Sequence, residues 1–218
     1  MSSTALSSQP SADPPDQATD GGTARRPANR RELILEAAVD LFHERGYPAT
    51  SVDDIGQAVD VSGPAIYRHF SSKEEILVEA IKLAADEVHA VNGRARAETS
   101  DPRRLLAGYI RAYTDVALER SALIAVWTRE ARHLSHERRS PMSRRLRSWS
   151  NEWVDALRDA RPDLGVDDAR LLVTAAIGMI TSVATGPERH EPEVDLAASV
   201  TSMALATLDA PLTRPDAT

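Results

Sequence analysis

The sequence predicts an all-α fold, and two observations carry this prediction. Apolar residues recur every three or four positions through most of the segment between residues 27 and 210, which is the period of an amphipathic helix. No segment alternates apolar and polar residues as a half-buried strand does. With 218 residues, 42% of them hydrophobic, the chain can form one large domain, or a small domain and a larger one.

The first helix is predicted within the segment RRELILEAAVDLFHERG, which starts at Arg30. Its apolar residues share one face, and Gly46 is a helix stop. Two short helices follow, at about Val52 to Val59 and Ser62 to Phe70. A pair of this kind, joined by a tight turn, is typical of a helix-turn-helix. The apolar residues expected to hold the pair against the first helix are Ile55, Val61, Ile66 and Phe70, facing Leu41 and Phe42.

The second short helix leaves one face free, and this face suits DNA. Tyr67 and His69 can donate to phosphate oxygens, which positions a protein without reading sequence. Arg68 can make a bidentate contact with guanine. Gly63 and Ala65 are small enough to approach the wall of a groove. The alternative for Tyr67 is packing in the core against the first helix.

The charge near this face differs from that of the chain, whose formal net charge is −7. Residues 25–75 carry seven basic and nine acidic residues, so they have a net charge of −2. The stretch from Val61 to Lys73 nevertheless contains no acidic residue. Helix N-termini add partial positive charge and free N–H groups that bind phosphates. We therefore expect a locally positive face with modest affinity for DNA in a single copy.

These residues resemble the tetracycline-repressor-like (TetR) family of bacterial transcription regulators. The resemblance rests on ILEAAVDLFHERGYPATSVDDI followed by VSGPAIYRHFSSKEEIL. Gly56 replaces the alanine usual in the family, and Asp60 replaces the usual turn glycine. Aspartate adopts the left-handed conformation more readily than most residues, so we expect the fold to tolerate both changes.

The resemblance implies two kinds of DNA contact. The residues expected at the phosphate backbone are Thr50, Ser51, Tyr67, His69 and Lys73, and those expected near base edges are Ser62, Gly63, Ala65 and Arg68. For Lys73 the alternative is a solvated helix end. The resemblance also implies that the remaining chain is a variable helical domain that binds a small molecule and dimerises.

The chain is divided into four segments by this interpretation. Residues 1–26 are a disordered arm rich in Ser, Pro and Asp, residues 27–75 are the DNA-binding domain, residues 76–210 are the larger helical domain, and residues 211–218 are a tail. The helices predicted in the larger domain start with a long one at Ser72 and continue with Pro102 to about Leu118, Ser121 to Leu134, Met142 to Ala160, Asp167 to Thr185 and Glu193 to Leu208.

Aromatic residues in the larger domain are candidates for an effector pocket, because such pockets are mostly apolar with a few placed polar groups. Two helical stripes carry Tyr109 and Tyr113, and Trp149 and Trp153. The full set of predicted ligand-binding residues is Tyr109, Tyr113, Trp127, Glu130, Trp149, Trp153 and Met179. The alternative is that these aromatic residues fill the core.

Glu130 lies on an otherwise apolar stripe, and a buried carboxylate must be paired or protonated. The Glu130 carboxylate is expected either to accept a hydrogen bond from a ligand or to form an internal ion pair with an arginine such as Arg104 or Arg111. His133 and His136 are three residues apart, but with no cysteine, and no acidic partner at ligand spacing except the adjacent Glu137, we expect no metal and no cofactor. The basic run HERRSPMSRRLR is either a solvated face or the rim of a pocket for an anion such as an acyl-coenzyme A.

The last two predicted helices indicate a homodimer through residues 167–208, because apolar and small residues cover most of the helix from Leu171. Two symmetry-related copies of the helix-turn-helix read a palindrome. We expect a cytoplasmic, ligand-responsive regulator, most simply a repressor, with double-stranded operator DNA as partner, a small apolar or amphipathic effector, and no membrane span. The alternatives are a DNA-binding protein without an effector and, least favoured, an enzyme, since we find no phosphate loop or nucleophile motif.

Overall fold

The computed structural model describes residues 30–186 and 194–213, which fold into nine α-helices and one 3-10 turn. These residues contain no strand, so the all-α prediction is confirmed. The predicted arm lies outside the described residues, as do residues 214–218 of the tail. The helices are α1 (Arg30–Arg45), α2 (Val52–Ala58), α3 (Gly63–Ile66), α4 (Lys73–Glu98), α5 (Pro102–Glu119), α6 (Ser121–Glu130), α7 (His136–Ala160), α8 (Val166–Thr185) and α9 (Leu196–Asp209), and the 3-10 turn is Ala131–His133.

Helices α1 to α3 form a three-helix unit held by the predicted apolar contacts. Ile55, Ile66 and Phe70 are buried in one core with Leu41 and Phe42, and Val61 is half-buried against it. Helix α3 is shorter than predicted and ends at Ile66, because the next N–H groups bond three residues back. Arg68 N donates to Ala65 O at 3.3 Å and His69 N to Ile66 O at 2.9 Å, so the chain continues as a tight turn.

The turn between α2 and α3 explains both departures from the family pattern. Asp60 has a φ of 54°, so it adopts the left-handed conformation that the sequence predicted it would tolerate. A Cβ on Gly56 would lie 2.7 Å from the carbonyl oxygen of Val61, which is closer than such atoms approach. The N–H of Val61 also donates to Gly56 O at 2.9 Å. Glycine at position 56 therefore permits this close turn.

Helix α4 is 26 residues long and connects the three-helix unit to the larger domain. It packs against α1 at one end and against α5, α6 and α7 along its length. Helix α7 runs beside it in the same direction, since Glu74 lies near Arg138, Asp86 contacts Arg145 and Asn92 contacts Trp149. The first turn of α7 is therefore level with the three-helix unit.

Three helix boundaries differ from the sequence prediction. Helix α6 ends at Glu130 and continues as the 3-10 turn, where one helix to Leu134 was predicted. Helix α7 begins at His136, six residues before the predicted start, and includes Pro141. Contacts between α4 and the beginning of α7 stabilise this extra turn, and they outweigh the backbone hydrogen bond that Pro141 cannot make. Helix α9 begins at Leu196, where the Asp195 side chain caps it by accepting from the N–H of Ala198.

Helix α8 is the most apolar long helix of the larger domain. Its 20 residues are apolar enough that length and composition alone would also suit a membrane span. Helices α5, α6, α7 and α9 pack against it, and Ala169, Leu172, Val173, Ala176 and Ile180 are buried. We therefore describe α8 as a core helix.

Candidate nucleic-acid interface

The face predicted to read DNA is exposed. Tyr67 has 55% of its surface exposed, so it does not pack in the core as the alternative proposed. Ser62 and Arg68 are also exposed, and Ala65 and His69 are half-buried. The Arg68 side chain makes no hydrogen bond or ion pair with any residue that the structure describes. Its guanidinium is therefore available to a partner outside this chain.

Two of the predicted DNA-binding residues, Gly63 and Thr50, lie inside the protein. A Cβ on Gly63 would be 1.9 Å from an Asp53 carboxylate oxygen, so a larger residue at this position would require the exposed Asp53 side chain to move. The Thr50 hydroxyl lies 3.2 Å from the carbonyl oxygen of Leu41 and 3.0 Å from that of Gly46. Gly63 and the Thr50 side chain therefore shape the reading face from within. Ser51, the next residue, is exposed and caps α2 in a reciprocal pair with Asp54.

Lys73 holds the loop between α1 and α2. Its Nζ donates to the carbonyl oxygens of Tyr47 at 2.9 Å and Thr50 at 2.8 Å, and lies 4.3 Å from the centre of the Tyr47 ring. Lys73 is therefore not the solvated helix end that the alternative proposed. An ammonium has three donors, so one N–H remains for a phosphate.

Glu130 holds the same loop from the larger domain. It is 7% exposed, and its Oε2 accepts from the backbone N–H of Tyr47 at 3.3 Å. Nε2 of His133 lies 3.4 Å from the same oxygen, and the His133 ring stacks on the Tyr47 ring with centroids 5.6 Å apart. The predicted arginine partners of Glu130 were wrong: within the described ranges, neither Arg104 nor Arg111 contacts it. We call Tyr47, Lys73, Glu130 and His133 the Tyr47 clasp.

A second carboxylate joins α4 to the segment before α7. Glu74 Oε1 accepts from the backbone N–H of Ser135 at 2.9 Å, and Oε2 lies 3.5 Å from Nε of Arg138. The hydrogen bonds from the Ser135 backbone and side chain, followed by the charge of Arg138, hold the pKa of Glu74 below its usual value. Glu74 is therefore anionic at neutral pH. The segment from Glu130 to Arg138 thus contacts the three-helix unit at Tyr47 and the start of α4 at Glu74.

The predicted aromatic residues lie together in the larger domain. Trp149 is at the centre, with ring centroids 5.0 Å from Tyr113, 5.3 Å from Trp153 and 6.4 Å from Trp127, and Tyr109 stacks on Trp153 at 5.7 Å. We call these five residues the aromatic cluster. They fill the core, as the alternative proposed, and Met179 is half-buried on α8.

Two polar atoms beside the aromatic cluster lack a partner. Trp153 Nε1 donates to Asn92 Oδ1 at 2.9 Å, but buried Trp149 Nε1 has no hydrogen-bond partner among the described residues. The hydroxyl of fully buried Thr114 on α5 also has none. The Tyr113 hydroxyl is 2.8 Å from that of Thr181, and burial raises the pKa of Tyr113. Since buried polar groups are usually satisfied, these two atoms are exceptions in the core of the larger domain.

A separate cleft of about 390 Å³ lies between α1, α4 and the start of α6. Its charged lining residues are Glu36, Asp40, Glu119 and Arg120. Burial, then the neighbouring Glu44 and Glu36, raises the pKa of Asp40. Because three of its four charged side chains are carboxylates, this cleft suits an anionic effector less well than the aromatic cluster does.

Two family models match the chain. Residues 34–80 match the model of bacterial regulatory proteins of the tetR family, and residues 99–208 match the tetracyclin repressor-like C-terminal domain. The chain belongs to the TetR family. Its members are transcriptional regulators, which bind operator DNA typically as dimers.

Individual relatives of this TetR-family protein agree with that assignment. It is 32% identical over 146 residues to the transcriptional repressor KstR2 of Mycobacterium tuberculosis, covering 64% of this chain and 73% of the relative. The structure of the ketosteroid transcriptional regulator KstR2 from the same species superimposes with a TM-score of 0.71 at 30% identity, covering 84% of this chain and 95% of that chain. The structure of AibR in complex with isovaleryl coenzyme A and operator DNA superimposes with a TM-score of 0.72 at 21% identity, covering 84% of this chain and 100% of that chain.

Sequence reasoning missed Tyr47, Glu74, Thr114 and Thr181 in this TetR-family regulator. Tyr47 and Glu74 act through partners 83 and 61 residues away, and each of these hydrogen bonds involves a backbone N–H. Side-chain patterns do not reveal backbone partners. Tyr47 had one available signal, its position beside a predicted turn in a chain with only four tyrosines.

We expect Glu130→Ala to lower the free energy of unfolding by about 1–3 kcal/mol, because it leaves the Tyr47 N–H without its acceptor. Glu130→Gln should cost less, since the amide oxygen can still accept. Urea unfolding at neutral pH measures both. Glu137→Ala is the control, because it removes a nearby exposed carboxylate and should change stability by less than about 0.5 kcal/mol. Equal losses for Glu130→Ala and Glu137→Ala would contradict the clasp.

Proposed function

We propose that this protein is a repressor that binds a palindromic operator as a homodimer and is released by a small-molecule effector. The observation that carries the proposal is the exposed face from Ser62 to His69, with Arg68 unpaired among the described residues. Arg68 supplies the bidentate base contact, and Ser62 and Ala65 lie near base edges. Tyr67, His69 and the third N–H of Lys73 donate to phosphates. Ser51 is exposed beside them, and its N–H and hydroxyl already donate to Asp54. Gly63 and Thr50 support this face without direct side-chain contacts.

The homodimer is formed by the outer faces of α8 and α9, within the predicted range 167–208. Several large apolar side chains on these helices are exposed, with 59% of Leu171, 40% of Val183 and 48% of Met203 accessible. Exposed apolar residues that share one surface mark an interaction site. A two-fold axis through this surface pairs each helix with its copy and sets the separation of the two reading faces.

The effector binds at the aromatic cluster, where it displaces packed side chains and accepts a hydrogen bond from Trp149 Nε1. An apolar or amphipathic molecule with one carbonyl acceptor suits this chemistry, and a thioester of an acyl-coenzyme A is such a molecule. The isovaleryl coenzyme A bound to AibR supports this class of effector. A drug-like molecule with the same acceptor would satisfy the same site.

Helix α6 connects the effector site to the reading face. It carries Trp127 in the aromatic cluster and Glu130 in the Tyr47 clasp, three residues apart and therefore about 4.5 Å along the helix axis. An effector that moves Trp127 displaces Glu130, and the loop before α2 loses its acceptor. Because binding at two coupled sites is reciprocal, the operator weakens effector binding by the same factor.

We expect Arg68→Ala to weaken binding to the operator by about 1–3 kcal/mol, while binding to random DNA changes much less. The operator is obtained by selecting random duplexes on the wild-type protein, and fluorescence anisotropy measures both affinities. Selection of a palindrome would agree with a dimer. If Arg68→Ala weakens operator and random DNA equally, Arg68 does not read a base. If no duplex is selected, the proposed function is wrong.

We expect Trp149→Phe to reduce the response to an effector, because it removes the unpaired N–H and keeps an aromatic ring. Trp153→Phe is the matched control, since that N–H already donates to Asn92. A series of acyl-coenzyme A thioesters, including isovaleryl coenzyme A, is titrated against the protein–operator complex. An active thioester should act at a higher concentration on Trp149→Phe than on Trp153→Phe. Identical responses would contradict the role of Trp149, and the absence of any response in the wild type would contradict this effector class.

A further inference from the structure

We propose that a basic surface at the start of α7 contacts operator phosphates outside the base pairs that α3 reads. This surface comprises Arg132, His136 and Arg139, and we call it the basic shoulder. The proposal rests on the proposed DNA-binding function and adds a contribution from the larger domain. All three side chains are exposed.

The contacts of the neighbouring residues place the basic shoulder beside the three-helix unit and the first turn of α4, which together we call the reading unit (residues 30–75). Ser135 and Arg138 contact Glu74, which follows Lys73 in the first turn of α4. His133, next to Arg132, stacks on Tyr47. Since α7 runs parallel to α4, the first turn of α7 is the part of that helix closest to the reading face. The basic shoulder is therefore continuous with the candidate DNA interface.

Because the reading unit is acidic, positive charge on a neighbouring surface would strengthen its attraction to DNA. Residues 30–75 carry five basic and nine acidic residues, a net charge of −4. Residues 132–139 carry three arginines and one glutamate, a net charge of +2. Glu74 neutralises Arg138, but Arg139 and His136 make no ion pair with described residues, and Arg132 is hydrogen-bonded to His133 at 3.3 Å. The larger domain thus adds Arg139 to the unpaired Arg68 of the reading unit.

Two other roles fit the basic shoulder less well. Arg139 precedes Trp149 by ten residues, which is about 15 Å along the helix axis, so it does not rim the aromatic cluster. The basic shoulder lies at the end of α7 nearest the start of α4, whereas Arg147, which is also exposed and makes no ion pair with described residues, lies about 12 Å farther along the helix. A polyanion that already binds the neighbouring surface, namely the operator backbone, is the partner with complementary charge.

The salt dependence of operator binding tests the proposal. The logarithm of the association constant falls linearly with the logarithm of salt concentration, with a slope of about −0.9 for each phosphate contacted. With one contact per subunit, Arg139→Ala should make the slope of the dimer less steep by about 1.8. Arg139→Lys should restore the slope, because it retains the charge. Equal melting temperatures of the variants would show that the fold is intact.

Arg147→Ala is the matched control, because it removes the same charge from an exposed position eight residues, or about 12 Å, farther along α7. Its slope should equal that of the wild type. Equal changes for Arg139→Ala and Arg147→Ala would indicate a general effect of net charge and overturn the proposal, as would no change for either variant. Failure of the wild type to select a duplex would instead contradict the proposed function.

Discussion

The reading unit depends on one backbone position, Tyr47, which is held from both sides. Its N–H donates to Glu130 of the larger domain, and its carbonyl oxygen accepts from Lys73 of α4. Lys73 also binds the carbonyl oxygen of Thr50, one residue before the Ser51 that caps α2. The orientation of α2, and of α3 which packs on it, therefore follows from these hydrogen bonds. An acidic domain can present a DNA-binding face in this way, because positioning and local charge replace an overall positive charge.

The same arrangement explains how the effector domain can influence DNA binding without touching the bases. Helix α6 runs beside α1, since its first residues line a cleft with Glu36 and Asp40 and its last residue reaches Tyr47. The middle of α6 contributes Trp127 to the aromatic cluster. A small displacement of α6 is sufficient, because a carboxylate moved by about 1 Å from 3.3 Å is no longer within hydrogen-bonding distance of the Tyr47 N–H. Two neighbouring contacts, of Glu74 with Ser135 and with Arg138, hold the start of α7 beside the first turn of α4.

Helical periodicity and turn residues predicted the fold class, the helix-turn-helix and the left-handed Asp60, because these follow from local preferences. Exposure of Tyr67 and Arg68 followed from the same patterns. The contacts of Glu130 and Lys73 could not be predicted from these patterns, because their partners are backbone groups distant in sequence. The early start of α7 was also missed, because Pro141 argues locally for a later start and only the contacts with α4 outweigh it. Gly63 was predicted to approach DNA because of its size, and the structure adds that it is buried with the Asp53 carboxylate next to it.

The affinity of Glu130→Ala for the operator tests the central role of the Tyr47 clasp most directly. Two physical effects of this substitution predict changes in operator affinity of opposite sign. Removing a carboxylate near a polyanion should strengthen binding by electrostatics alone. Loss of the acceptor that positions Tyr47 should weaken it. We predict an operator affinity at least several-fold weaker than that of the wild type, with an unchanged salt slope, measured by fluorescence anisotropy on protein shown to be folded. An affinity equal to or higher than that of the wild type would contradict the account.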